Sequence, residues 1–178
     1  MDQELYTLIQ KAKRGDKEAF AQLVTRYKGV VFRQAYAMLN DRMEAEDVSQ
    51  EAFMKVHASL SKLGSEYAFA SWLTRIVSRL CYDRLQRKKQ REEKVIWEGS
   101  KEQPFSPANH LDTMEHKQLQ LSIEEALQKL SPEQKMVIIL RDIQGFTYDE
   151  IADILQVPVG TIKSRLHTAR LALRLVVL

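Results

Sequence analysis

A chain of 178 residues with 44% apolar content can bury a core in one medium domain or two small ones, which excludes a disordered polymer. Its single cysteine, Cys81, excludes an internal disulfide, and the opening MDQELYTLIQKAK has neither the basic start nor the apolar run of a secretion signal, so the expected setting is cytoplasmic. No uninterrupted apolar run is longer than that at Met136 to Leu140, far short of the roughly 20 residues that cross a bilayer, and the net charge of +3 is modest but uneven.

Residues 1 to 91 hold 17 Lys and Arg against 11 Asp and Glu, residues 92 to 130 hold 4 against 8, and residues 131 to 178 hold 6 against 5. From residue 156 onward Lys163, Arg165, Arg170 and Arg174 stand with no acid. Positive charge therefore sits at two places joined by an acidic connector. That suits two contacts with a polyanion, and it also fits plain solvated helix faces.

Apolar spacing is helical almost throughout, which predicts an all-α protein of two small domains. In the first helix Ala19, Phe20, Leu23, Val24, Tyr27, Val31 and Ala35 recur three and four apart, with Asp16 placed as cap. A second helix, from about Glu44 to Leu60, turns Ala45, Val48, Ala52 and Val56 inward and Glu46, Asp47, Gln50, Glu51 and Met54 outward. An acidic, partly apolar face repels DNA and suits a protein partner. The alternative, a cation-binding carboxylate site, has no histidine or second acidic group to complete it.

After the loop SKLGSEY a third helix spans about Phe69 to Lys89. Leu73, Ile76, Val77 and Leu80 form its predicted core face, with Arg75, Arg79, Tyr82 and Gln86 opposite and Arg84, Arg87, Lys88, Lys89 and Arg91 following. Cations can track a nucleic-acid backbone while Tyr67, Phe69, Trp72 and Tyr82 offer faces for unstacked bases, the combination expected for single-stranded DNA. Taken alone, these aromatic residues, Trp72 and Phe69 especially, also read as core.

Residues 92 to 115 carry Gly99, Pro104, Pro107 and six acids against two lysines without a sustained apolar stripe, and read as a linker. Helices are then expected near 117 to 130, 132 to 143, 148 to 155 and 158 to 174. Ser131-Pro132-Glu133-Gln134 and Thr147-Tyr148-Asp149-Glu150 are both capping signatures, and Gly145 can end the helix between them. Gln156 stands at a helix end where glycine is easier; a left-handed conformation there costs roughly 1 to 2 kcal/mol.

In the last helix Ile162, Leu166, Ala169 and Leu173 fall on one seam. Ser164 and His167 lie opposite, Lys163 and Thr168 flank them, and Arg165, Arg170 and Arg174 occupy the borders. A helix of this kind after a shorter one and a tight turn forms a helix-turn-helix, whose second helix enters the major groove. Border cations can neutralise phosphates, short polar side chains can meet base edges, and Gly160 permits close backbone approach. The alternative is an ordinary helical hairpin with a basic surface.

The order GDKEAF, EAEDVSQEAF, SWLTRIVSRLCYDRLQRKK, linker and LSPEQKMVIILRDIQGFTYDEIADILQVPVGTIKSRLHTAR resembles, over nearly the whole chain, a bacterial extracytoplasmic-function (group 4) RNA polymerase sigma factor of the sigma-70 family. The resemblance implies a region 2 domain over residues 1–91, an acidic linker over 92–115 and a region 4 domain over 116–178. It implies that Glu46, Asp47, Gln50, Glu51 and Met54 bind core RNA polymerase. Tyr67, Phe69, Trp72, Arg75, Arg79, Tyr82, Gln86, Arg87 and Lys88 would recognise and melt the minus-10 element of promoter DNA. Gly160, Thr161, Lys163, Ser164, Arg165, His167 and Arg170 would read the duplex minus-35 element.

The resemblance further implies no catalysis, no cofactor and no metal, a stress or envelope-related regulon, and an anti-sigma factor, often membrane-bound. The acidic linker could occupy a basic polymerase channel ahead of RNA. Many family members have asparagine at the position of Arg79 and arginine at that of Thr168, departures that bear on base preference and on one phosphate contact. A rival reading, a two-domain regulator that binds a duplex operator and never enters polymerase, shares the helix-turn-helix but leaves the second and third helices unexplained. An enzyme fits less well, because His57, His110, His116 and His167 are scattered and no glycine-rich phosphate loop occurs.

Overall fold

The computed structural model describes residues 3–97 and 130–177, with side chains over 3–91 and 130–173. Every regular element among them is helical, as the apolar spacing predicts. The chain divides into two compact units, Met1–Asp83 and Arg84–Leu178.

The first unit contains α1 (Gln3–Lys13), α2 (Lys17–Leu39), α3 (Arg42–Ser59) and the start of α4 (Phe69–Trp97), with two short 3₁₀ turns, Leu60–Lys62 and Glu66–Ala68, before α4. Asp16 caps α2 by accepting from the Glu18 and Ala19 N–H groups at 3.0 Å each. Asn40, left-handed at φ 51°, ends α2, and Asp41 caps α3 by accepting from the Glu44 N–H at 3.1 Å. The core joins Ala19, Leu23, Val31 and Ala35 of α2 to Ala45, Val48, Ala52 and Val56 of α3. Alanines along both seams let the two helices approach closely.

Ser78 of α4 is fully buried, and its hydroxyl accepts from Gln34 Nε2 at 2.9 Å; the same amide donates to the Thr74 carbonyl at 3.1 Å. A polar cross-tie of this kind satisfies groups that would otherwise be costly to bury. Cys81 is also fully buried. Two differences from the sequence expectations stand out. α1 forms where no helix is assigned from sequence, burying Leu5, Ile9 and Ala12. α4 continues past Lys89 to Trp97, because QREEKVIW is free of the glycine and proline that break helices.

In the second unit α5 (Pro132–Ile138) begins with the expected capping box: Ser131 Oγ accepts from the Gln134 N–H at 3.2 Å, and Gln134 Oε1 accepts from the Ser131 N–H at 2.9 Å. It continues as one π turn, Ile139–Ile143, which ends at Gly145 with φ 76°. The second capping box, between Thr147 and Glu150, starts α6 (Tyr148–Leu155). Gln156 then takes the left-handed conformation foreseen for it, at φ 55°, and α7 (Val159–Val177) follows.

Ile162, Leu166 and Ala169 of α7 are buried, as are Met136 and Leu140 of the α5 segment and Ile151 and Leu155 of α6. Each fully buried large apolar side chain here contributes about 1.5 to 3 kcal/mol. Leu173, expected in the same seam, is half-buried. The helix expected at 117–130 lies, apart from Leu130, outside the described residues, as does the linker beyond Trp97.

Candidate functional site

The predicted residues fall on three surfaces. The first is the exposed side of α7, delivered by the turn at Gln156 to Pro158. There the Val157 N–H donates to the Ala152 carbonyl at 3.2 Å, and the Thr161 N–H to the Pro158 carbonyl at 2.9 Å. Gly160, Lys163, Ser164, His167, Thr168 and Arg170 are exposed, and Thr161 is half-buried. A Cβ at Gly160 would meet no atom within 4 Å, so internal packing does not require glycine there. The Ser164 hydroxyl donates to the Thr161 carbonyl and the Thr168 hydroxyl to the Ser164 carbonyl, each at 3.0 Å. Both must rotate away from the helix backbone to meet an external acceptor.

Two arginines of this surface differ from the sequence expectation. Arg165 is half-buried, and its buried Nη1 makes no hydrogen bond among the described residues, so its guanidinium leans inward. Arg170 is held in a fork by Asp142 of the π turn, with Nη2 to Oδ1 at 2.5 Å and Nε to Oδ2 at 3.3 Å. That hydrogen bonding raises its pKa further above the usual guanidinium value. Arg141 donates to the Phe146 carbonyl at 2.8 Å and lies 4.8 Å over the Tyr148 ring, which fixes the turn beside this pair. The side chain of Arg174 is outside the described residues.

The second surface is the loop before α4 and the outer side of that helix. Tyr67 is 70% exposed; Arg75, Arg87 and Lys88 are exposed, and Trp72, Arg79 and Gln86 are half-buried. Arg79 pairs with Asp83 at 3.1 Å and lies 5.8 Å from the Tyr82 ring. Tyr82 departs from the expected exposed stripe, and Phe69 takes the core place that its sequence position also allowed. Phe69 is 1% exposed and meets Tyr27 edge-on at 5.2 Å, while Tyr82 is 8% exposed. Neither presents a free ring face for a base in this conformation. Trp72 instead lines an open groove of about 550 Å³ with Lys55, Ala58, Ser59, Lys62 and Ile76. Sequence alone does not point to Lys55 and Lys62, because they lie on other segments that only folding brings to this groove.

The third surface is on α3. Met43 and Met54, 78% and 72% exposed, line up with Asp47 and Gln50 at intervals of four, three and four residues. Glu46 pairs with Arg42 at 3.0 Å and Glu51 with Lys55 at 3.7 Å, both one helical turn away. Exposed pairs of this kind contribute only a few tenths of a kcal/mol, and chiefly set side-chain direction. Met43 is missing from the sequence prediction because the expected start at Glu44 falls one residue after it. Among the described residues no group of three or more His, Cys, Asp or Glu is placed to hold a metal ion, and no helix is long and apolar enough to cross a membrane.

Comparison with known proteins identifies the two regions. Residues 23–91 match the family described as Sigma-70 region 2, and residues 120–173 match Sigma-70, region 4. The chain is 33% identical over 181 residues to the ECF RNA polymerase sigma factor SigW of Bacillus subtilis, covering 98% of this chain and 97% of that protein. It is 30% identical to the RNA polymerase sigma-H factor of Pseudomonas aeruginosa, over 93% and 90% of the two chains. Among solved structures, the sigma factor RpoE in complex with the anti-sigma factor NepR from Bartonella quintana aligns with a TM-score of 0.61 at 27% identity, covering 89% of this chain and 96% of that one. CnrH, solved with the cytosolic domain of CnrY, shares the fold with a TM-score of 0.57 at 24% identity, over 97% and 96% of the chains. With both regions present in order and relatives matched nearly end to end, the chain belongs to the ECF RNA polymerase sigma factors of the sigma-70 family.

Proposed function

We propose that this sigma factor, of group 4, works in the cytoplasm as a promoter-specificity subunit with three separate contacts. α3 docks on core RNA polymerase through Asp47, Gln50 and Met54, with Met43 added to the face and Glu46 and Glu51 at its margins. Tyr67, Trp72 and the cations of α4 receive the unpaired minus-10 strand. α7 lies in the major groove of the minus-35 element, where Lys163 holds phosphate and Ser164 and His167 meet base edges. The observation that carries this reading is the segregation of chemistry: α3 shows acids and methionines outward, whereas α7 exposes cations and short polar groups with no acid.

Two short elements read by tethered modules discriminate where either alone would not, since each mismatch costs roughly 1 to 3 kcal/mol. Elements two helical turns apart are separated by roughly 70 Å. A linker of residues 92–115 spans about 25 to 30 Å as a coil and about 80 Å fully stretched. Its first six residues are part of α4, which shortens that reach, so the two modules bridge a promoter only with the linker held extended by polymerase. The isolated chain is accordingly a weak promoter binder. An anti-sigma factor that covers the promoter-reading surfaces is the proposed control, with a stress or envelope-related regulon downstream; the RpoE of Bartonella quintana was solved in complex with the anti-sigma factor NepR.

The test is transcription from host DNA by purified core polymerase with and without this chain, followed by sequencing of transcript 5′ ends. The expected result is a set of new starts that share two spaced elements. No new starts, together with polymerase-independent binding to a duplex operator, would establish the regulator reading instead.

A further inference from the structure

The Sigma-70 region 2 match begins at residue 23, yet the loop that carries Tyr67 is held by side chains that precede it. Lys13, at the end of α1, reaches across to this loop and donates to two acceptors there: the Leu63 carbonyl at 2.8 Å and Glu66 Oε1 at 3.0 Å. The two acceptors flank Gly64 and Ser65, so a single ammonium closes that stretch like a clasp. Both side chains are largely withdrawn from solvent, at 19% and 15% exposure. The Lys13 hydrogen bond is also the leading cause that holds the Glu66 carboxyl below its usual range, with the Arg14 charge nearby acting in the same direction.

α1 makes a second contact with the same loop. The Tyr6 ring lies 5.4 Å from the Tyr67 ring, tilted by 44°. Tyr67 nonetheless stays 70% exposed, so Tyr6 backs it without covering it. Within the loop itself, the backbone bonds belong to its short turns: Leu63 N–H to the Leu60 carbonyl and Ala68 N–H to the Ser65 carbonyl, each at 3.1 Å, and Phe69 N–H to the Glu66 carbonyl. At Gly64 a Cβ would meet nothing within 4 Å, so packing does not restrain the loop there. Leu60 and Leu63 anchor the start of this stretch in the core, while Gly64 to Tyr67 is gripped from α1 by Lys13 and Tyr6.

We propose that α1 is a brace for the promoter-melting loop, with Lys13 the positioning residue that presets Tyr67 to receive an unstacked base. This rests on the reading of Tyr67 as a minus-10 contact. Ordering the loop before DNA arrives removes that entropic cost from base capture, which raises affinity for unpaired strand without adding a contact to it. Duplex recognition by α7 and docking by α3 do not pass through this loop and are left untouched.

The experiment uses the full chain assembled with core polymerase and a forked promoter DNA with 2-aminopurine in its unpaired minus-10 strand. Lys13→Met keeps the aliphatic stem and removes the charged donor. It is expected to weaken fork binding roughly tenfold, the scale of one charge-assisted hydrogen bond, while core association and duplex minus-35 binding stay unchanged. Tyr67→Ala weakens fork binding by itself, and adding Lys13→Met to it produces no further loss, because the lysine acts through the tyrosine. Glu66→Gln, a milder change, shows the same pattern with a smaller loss and decides the matter if Lys13→Met fails to fold. Equal losses in the presence and absence of Tyr67, or no loss from the single changes, overturn the brace while leaving the minus-10 assignment of α4 standing. Failure of the unaltered holoenzyme to hold the fork overturns that assignment and the brace with it.

Discussion

On α3 the buried seam is Ala45, Val48, Ala52 and Val56; on α7 it is Ile162, Leu166 and Ala169, and both recur at intervals of three and four. The outward residues are opposite in kind. α3 turns out Met43, Asp47, Gln50 and Met54, while α7 turns out Lys163, Ser164, His167 and Arg170. The seam fixes where each helix sits, and the outward residues set its chemistry, so one architecture offers an acidic, methionine-bearing face in one unit and a cationic face in the other.

The sharpest way to break this comparison is to invert one outward face. Asp47→Arg on α3 is expected to lower association with core polymerase by about a hundredfold, since misplaced charge at an interface costs several kcal/mol, with helical circular dichroism unchanged. Co-purification at the unaltered level would remove α3 from the docking role. On α7 the expected effects divide by residue. Ser164→Ala changes preference at one base position by about tenfold, whereas Lys163→Ala weakens every promoter and lowers the salt slope of binding by about one. A uniform loss from both changes, read by titration on mutated minus-35 duplexes, would mean that the serine does not read a base.

Asp142→Asn probes a cation of this face that the fold holds in an ion pair. Released from its carboxylate, Arg170 is free to join the phosphates, so duplex affinity rises severalfold at low salt and the salt slope steepens by about one. An unchanged slope would make Arg170 a strut between α7 and the π turn. The smallest expected effect lies in the helix ends that precede the two faces. Asn40 and Gln156 are both left-handed, at φ 51° and 55°. Asparagine tolerates that region and glutamine does so poorly, so Gln156→Gly stabilises its unit by about 1 kcal/mol while Asn40→Gly is nearly neutral, as thermal unfolding of the two variants measures.

Much of this was legible from local chemistry. Both capping boxes, the glycine stop at Gly145, the strained Gln156 and the α7 seam through Ala169 are short-range features, complete within a few residues of chain. What escaped depends on more than one element. α1 offers only Leu5, Ile9 and Ala12 as a stripe, too brief to assign until α2 and the 3₁₀ turns are there to cover it. A single helical wheel gives α4 one core face, yet Ser78, Cys81 and Tyr82 are buried as well as Leu73, Val77 and Leu80, because this helix is covered on more than one side. The inward lean of Arg165 and the Arg170–Asp142 fork are likewise tertiary, and no count of charges along the helix reveals which cations the fold has engaged.

The fully buried sulfur of Cys81 has a practical consequence. As the sole thiol of the chain, it can be alkylated only when its surroundings open, so the reaction keeps time for that opening with no introduced label. Any ligand that clamps α4, a strand of nucleic acid or a captor protein, announces itself as a slower clock.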